Sequence, residues 1–208
     1  MAALLTVTDL AKSYGDVPIL TSVTFELHSA QALALTGPNG SGKTTLLKCV
    51  AGADLPDSGE VRLNGEPFTE SDPKARAAIA CALDDADFFP ELSVAEHLEL
   101  FARAHGMPEP KAVVDDVVAE LDLTDQRDQL PVTLSSGQRR RLTLGACLVR
   151  PRRLLILDEP EQRLDSAGRD WLARRLTDEK ANGTAILLAT HSEELTDAVA
   201  DYEIDLGE

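Results

Sequence analysis

The residues Gly37-Pro38-Asn39-Gly40-Ser41-Gly42-Lys43-Thr44-Thr45 lie between two apolar runs, Ala32-Leu33-Ala34-Leu35 and Leu46-Leu47-Lys48-Cys49-Val50. They fit the spacing G-x-x-x-x-G-K-[ST] in full, and their flanks predict a strand before the loop and a helix after it. Such a loop turns consecutive backbone N–H groups inward, and the helix aims its unsatisfied N-terminal donors at the same point. The chemistry implied is the grip of an anion with several oxygens. Lys43 then lies along the β- and γ-phosphates, the Thr44 hydroxyl ligates Mg²⁺, and Thr45 packs or orients the loop.

A second constellation completes the first. In Leu154-Leu155-Ile156-Leu157-Asp158-Glu159-Pro160, four apolar residues mark a buried parallel strand and two carboxylates stand where it leaves the sheet. Asp158 is suited to hold Mg²⁺ through water, and Glu159, facing differently, to act as general base or water-positioning group. Ala185-Ile186-Leu187-Leu188-Ala189 repeats the strand pattern and ends in Thr190-His191-Ser192. A histidine at the carboxyl end of a central strand reaches the same crevice.

Leu134-Ser135-Ser136-Gly137-Gln138 opens a further helix, running through Arg139-Arg140-Arg141 to Leu148. Two hydroxyls, a glycine and helix N-terminal donors make it either a second phosphate site or simply a well-capped helix. If it is simply a well-capped helix, the arginines form a solvated basic face with their aliphatic stems packed down. Asp165 is either a turn residue near the site or a helix N-cap, and Tyr14 either a stacking platform or an ordinary half-buried tyrosine.

The elements around these residues follow from their periodicity. Leu4–Leu10, Val23–Leu27, Ala32–Thr36 and Glu60–Leu63 read as strands, the last followed by an Asn64-Gly65 hairpin turn, so antiparallel strands are expected at the edge of a parallel core. Pro73–Ala80 is helix-compatible, and Ile79–Leu83 is a strand candidate delivering Asp84 and Asp85. Phe88-Phe89-Pro90 is a compact apolar knuckle, either a docking patch or a satellite core. Ser93 with Glu96 forms a capping box for a helix bearing Val94, Leu98 and Phe101, and Pro110–Leu121 carries a valine stripe. Trp171 belongs to the packing of the helix Arg169–Lys180.

The chain has 208 residues, enough for a substantial core, and 20 basic against 36 acidic side chains give a formal charge of −16. That surface disfavours a polynucleotide substrate, so no direct nucleic-acid partner is expected; it reflects either a salt-rich setting or a basic partner surface. Three cysteines, Cys49, Cys81 and Cys147, each in an apolar run, read as packed thiols rather than disulfides or metal ligands. There is no secretory-signal pattern and no run of about 18 apolar residues, so a membrane role must pass through a partner.

Taken together, these motifs resemble the ATP-binding cassette (ABC) ATPase, the nucleotide-binding subunit of ABC transporters, over essentially the whole chain. Gly37–Thr44 resembles its Walker A motif, Leu154–Glu159 Walker B with the catalytic glutamate, Leu134–Gln138 the signature, Asp165 the D-loop aspartate, His191 the switch histidine and Tyr14 the adenine-stacking aromatic. The resemblance implies an α/β fold of the P-loop NTPase type, a RecA-like parallel core of residues 1–83 and 142–208 with an N-terminal antiparallel β subdomain, and an inserted helical subdomain of 84–141. It implies ATP and Mg²⁺ held between two copies facing head to tail. Lys43, Thr44, Asp158, Glu159 and His191 come from one copy, and Ser135 and Gly137, beside Gln138, from the other. A transmembrane permease would tie the subunit to the cytoplasmic face of the cell membrane.

Two positions depart from the family pattern. Ser136 replaces the first signature glycine, and its Cβ is expected to crowd the opposite copy. Asp84 stands where glutamine is usual; as a Mg²⁺ ligand it brings charge towards phosphate and is expected to slow turnover or make it more Mg²⁺-sensitive. Alternatives to transport are a soluble relative acting on ribosomes or DNA, and a nucleotide switch that barely hydrolyses.

Overall fold

The computed structural model describes residues 2–69, 71–83 and 87–207. Strands β1 (Leu5–Tyr14) and β2 (Val17–Leu27) pair antiparallel about the Gly15-Asp16 turn, and β1 also pairs with β4 (Ser58–Leu63). The short β5 (Glu66–Pro67) folds back through Asn64-Gly65. The resulting sheet has the order β2-β1-β4-β5. Leu5, Val7 and Leu10 point inward, whereas Thr8 and Asp9 are exposed, so one face is dry and the other wet. β2 starts earlier than the expected Val23.

The second sheet is parallel throughout, in the order β6-β7-β8-β3-β9. Its strands are β3 (Ala32–Thr36), β6 (Ile79–Ala82), β7 (Leu154–Asp158), β8 (Ala185–Ala189) and β9 (Tyr202–Asp205). The continuous apolar runs have a simple cause: both faces are covered. Leu33, Leu35, Leu154, Ile156 and Leu187 face the core that also takes in α1 (Lys43–Ala51) and the inner face of the antiparallel sheet. Their alternates Leu155, Leu157, Ile186 and Leu188 face the core shared with α5 (Ser136–Leu148), α6 (Ser166–Ala181) and α7 (Glu193–Val199). Each central strand thus places alternate residues in different cores.

A third core joins α3 (Val94–Ala104) and α4 (Pro110–Glu120) to one side of α5, through Leu98, Val114, Val117, Val118, Leu121 and Leu142. Gly145 lets α5 lie close here, since a Cβ there would meet Leu121 Cδ1 at 2.5 Å. α5 is therefore common to two cores: Leu142 and Leu148 face the helices, and Leu144 and Cys147 face the sheet. Ser93 and Glu96 form the expected capping box. α2 (Pro73–Ala78) ends two residues before the expected Ala80, because Ile79 already pairs with Leu154.

Two expectations need correction. Cys81 is exposed, unlike Cys49 and Cys147, because the β6 pleat turns it towards a groove beside Ala75, His105 and Arg150. The arginines 139–141 are not a solvated basic face: Arg140 is buried, and Arg139 and Arg141 donate to the carbonyls of Pro131 and Leu121. β9 carried no strong strand signal. The Phe88-Phe89 knuckle divides: Phe88 packs edge-on against buried His97 with ring centroids 5.1 Å apart, while Phe89 stays 54% exposed, its N–H donating to His97 Nε2.

Candidate functional site

The site is assembled at the carboxyl edge of the parallel sheet, where β3, β8 and β7 lie side by side. β3 runs out into the loop at Gly37, β7 ends at Asp158, and β8 ends beside Thr190-His191. Gly42 caps α1 with φ near 100°, and a Cβ there would sit 2.8 Å from Leu20 Cδ2, so the turn requires glycine for both conformation and space. Pro38, Asn39 and Gly40 are exposed on the loop crest, and Gly37, Ser41 and Thr45 are half-buried beneath it.

Lys43 is buried, and its Nζ donates to the carbonyls of Gly37 and Pro38 at 2.7 and 3.0 Å. Both are backbone acceptors, so the side chain is folded into the loop by the loop's own carbonyls. Ser41 Oγ is buried without a hydrogen-bond partner. Among the described residues the Lys43 ammonium has no carboxylate partner and the Ser41 hydroxyl no partner at all, which fits a loop built around a phosphate. Thr44 Oγ1 donates to Asp158 Oδ2 at 2.6 Å, joining the start of α1 to the end of β7. A hydroxyl and one carboxylate at that distance are a donor set that suits Mg²⁺ completed by phosphate oxygens and water.

Glu159 follows at φ 45°, a left-handed conformation that turns its side chain away from that of Asp158. Its N–H donates to Ala189 O at 2.8 Å, which ties it to the end of β8 and brings Oε1 to 3.3 Å from His191 Nε2. Arg140 lies beneath this corner. Its guanidinium donates to the carbonyls of Asp158, Glu159 and Pro160, and it lines a cleft of about 360 Å³ together with Thr44, Asp158 and Glu159. Sequence reasoning missed this residue; the available signal was its place in the second turn of the helix opened by Ser135.

The signature-like segment lies apart from this cleft. Ser135 caps α5, accepting from Gln138 N–H while Gln138 Oε1 accepts from Ser135 N–H, a complete capping box. Gly137 packs under the loop after β7: a Cβ there would lie 2.8 Å from Arg163 O. Asp165 is an N-cap, accepting from Gly168 N–H at 2.9 Å and pairing with Arg141 at 3.1 Å. The Gly168 N–H, and then Arg141, hold its carboxyl below the usual range. Arg163 borders both the cleft and the hollow around Ser135 and Gly137. Within one chain, then, the first group gathers around Asp158 and the second around Gly137.

Tyr14 ends β1, is 51% exposed, and its hydroxyl donates to Asp54 Oδ2 at 2.7 Å. The Thr45 side chain faces the same hydroxyl, which sets the ring beside the first turn of α1. Asp84 lies outside the described residues.

Comparison with known proteins agrees with this geometry. The family model described as ABC transporter matches residues 20–162. The chain is 34% identical to the Nod factor export ATP-binding protein I of Cupriavidus pinatubonensis, over 97% of its own length and 63% of the relative's. It is 32% identical to the SkfA peptide export ATP-binding protein SkfE of Bacillus subtilis, over 97% and 84%, and 33% identical to the spermidine/putrescine import ATP-binding protein PotA of Pseudomonas aeruginosa, over 91% and 53%. A solved structure described as the ATP binding subunit of an ABC transporter superposes with a TM-score of 0.89 at 30% identity, covering 98% of this chain and 86% of that one. The chain belongs to the ABC transporter family, and its likeness is to the ATP-binding subunits of such transporters.

Proposed function

We propose that the chain binds and hydrolyses ATP with Mg²⁺ as one of two cassettes facing head to tail, and that it drives transport through a separate permease. The observation that carries the reading is the 2.6 Å contact of Thr44 with Asp158, residues 114 positions apart whose only evident joint task is to hold a metal against phosphate. In this reading Lys43 and the loop amides of residues 37–42 hold the β- and γ-phosphates, and Thr44 and Asp158 hold Mg²⁺. Mg²⁺ would neutralise charge on the phosphate oxygens. Glu159 orients the attacking water and accepts its proton, and His191, whose Nε2 lies 3.3 Å from Glu159 Oε1, steadies that carboxylate against the γ-phosphate.

Ser135, Gly137, Gln138 and Asp165 serve the second copy's nucleotide. Their distance from the cleft in a single chain supports that division of labour, because a γ-phosphate touching both copies turns binding into closure and hydrolysis into release. The core of 1–83 and 142–208 and the helical part of 84–141 are coupled through α5, which crosses that boundary unbroken. No helix among the described residues is long and apolar enough to cross a membrane, so attachment at the cytoplasmic face would run through the permease. Relatives named for export and for import both match, which leaves direction to experiment.

The test is phosphate release by the native protein and by Glu159→Gln, with ATP-dependent dimerisation followed in parallel. Hydrolysis is expected to fall by about a hundredfold or more while the dimer accumulates. Equal rates in the two proteins would overturn the assignment of Glu159, and co-purification with ribosomes or DNA instead of a membrane permease would overturn the transport reading.

A further inference from the structure

Lys12 and Asp54 enclose Tyr14 at the edge of the candidate site, and no role above uses their contacts with it. Lys12 is 9% exposed, near the end of β1, an inner strand of the antiparallel sheet. Its Nζ donates to Asp54 Oδ1 at 2.9 Å and to Leu55 O at 2.7 Å, and stands 5.3 Å from the centre of the Tyr14 ring, over its face. The other oxygen of the same carboxylate, Asp54 Oδ2, accepts from the Tyr14 hydroxyl at 2.7 Å. Both carboxylate oxygens are therefore engaged, one by each partner. The loop that carries Asp54 is itself tied to β1 by Asp57, which accepts from Ser13 N–H at 2.6 Å and donates its own N–H to Ala11 O.

These contacts fix three things about the ring. Its hydroxyl edge is anchored, so rotation about the Cα–Cβ bond is blocked. One face lies under an ammonium, a cation–π contact that also excludes a second planar group from that side. What remains open, in a residue that is 51% exposed, is the opposite face. We propose that Asp54 and Lys12 are positioning residues that lock Tyr14 as a one-sided platform for the nucleobase, so that the base adds to triphosphate affinity only while this lock is intact. The proposal rests on the nucleotide-site reading above and deepens it. Preorganisation is the physical reason: a free tyrosine at a strand end must surrender rotamer freedom when a base stacks on it, whereas a locked one has already done so. The electrostatics agree, since the hydrogen bonds from Lys12 and then Tyr14 draw the Asp54 carboxyl below its usual range, and Asp54 draws Lys12 upward.

The test compares two ligands that differ only in carrying a nucleoside: Mg-ATP and Mg-tripolyphosphate, titrated calorimetrically into the native protein, Tyr14→Phe, Asp54→Ala and the double variant. The native protein is expected to bind ATP about tenfold more tightly than tripolyphosphate, the increment one base–aromatic stack provides. Tyr14→Phe keeps the ring and loses only the anchor; it and Asp54→Ala are each expected to remove most of that increment with tripolyphosphate unchanged. The double variant is expected to be no worse than either single one, since both break the same lock. Equal weakening of both ligands, additive losses, or full ATP affinity in Tyr14→Phe would overturn the proposal. Loss of binding to both ligands in the native protein would instead bring down the phosphate site itself, and the platform with it.

Discussion

Arg140, in the second turn of α5, donates to the carbonyl oxygens of Asp158 and Glu159 at 2.6 and 2.9 Å. The bonds matter because β7 has ended there: the chain turns through the left-handed Glu159, and its carbonyls point away from the sheet ladder. A buried guanidinium spans them with a rigid fork, which a lysine cannot do. α5 thus carries Ser135 and Gly137 at its start and, one turn on, the clamp on the hydrolytic corner of the same chain.

Replacing Arg140 by lysine or alanine is therefore expected to act on chemistry more than on binding. ATP affinity should stay within about twofold, because the loop and Lys43 are untouched, while turnover falls by about a hundredfold as Glu159 loses its placement. Stability should fall by about 2 kcal/mol or more from the carbonyls left without a charged donor. Chemical denaturation alongside steady-state kinetics separates the two effects, and a variant that lost ATP affinity and turnover in parallel would show that Arg140 supports the fold rather than the corner.

The signature-like segment offers a paired test. Gly137 has no room for a side chain, since a Cβ would meet Arg163 O at 2.8 Å, whereas Ser136 is exposed. Gly137→Ala is expected to cost about 1–3 kcal/mol in the chain alone. Ser136→Gly is expected to leave stability within about 1 kcal/mol, the helix-propensity difference, and to lower the ATP concentration needed for dimerisation. Sedimentation across an ATP titration measures the second effect, and unchanged dimerisation would remove the crowding argument.

How much of this was readable beforehand depended on how local each signal was. The loop at Gly37–Thr44, the strand ending at Asp158 and the capping boxes at Ser93 and Ser135 are written in contiguous residues, so spacing alone identified them. Arg140 was misread because a run of three arginines says nothing about which one faces inward; that depends on how α5 seats between two cores. Tyr202–Asp205 was missed because an edge strand, paired here only with β3, needs no apolar alternation. The contacts of Asp54 with Lys12 and Tyr14 span 42 and 40 positions, and nothing in composition links them. The juxtaposition of Glu159 and His191 was legible in outline, since both follow strands, but the hydrogen bond from Glu159 to Ala189 that sets their spacing was not.

Glu179 allows a test with a pH axis. Its side chain is 6% exposed on α6, with Arg152 and the Thr184 hydroxyl donating to it and Arg175 paired with it at 2.8 Å. Burial alone pushes its carboxyl up, but Arg152, Arg175 and Thr184 together outweigh that and hold it below the ordinary value of 4.5. A carboxylate depressed in the folded state contributes stability that is complete above the unfolded value and is lost as pH falls through the folded one. Arg152 also donates to the carbonyls of Cys147 and Leu148, so the pair joins the end of α5 to α6 next to the start of β7, the strand that delivers Asp158. Glu179→Gln is expected to cost about 3 kcal/mol at pH 7, the consequence of leaving buried arginines without their charge. Below pH 4.5 the gap between native and variant proteins should narrow, because the native carboxylate is itself being neutralised. Urea unfolding at pH 7, 4.5 and 3.5 reads this directly: a gap that stayed constant over that range would mean that Glu179 acts through its shape and hydrogen bonds, with its charge contributing nothing to the frame behind Asp158.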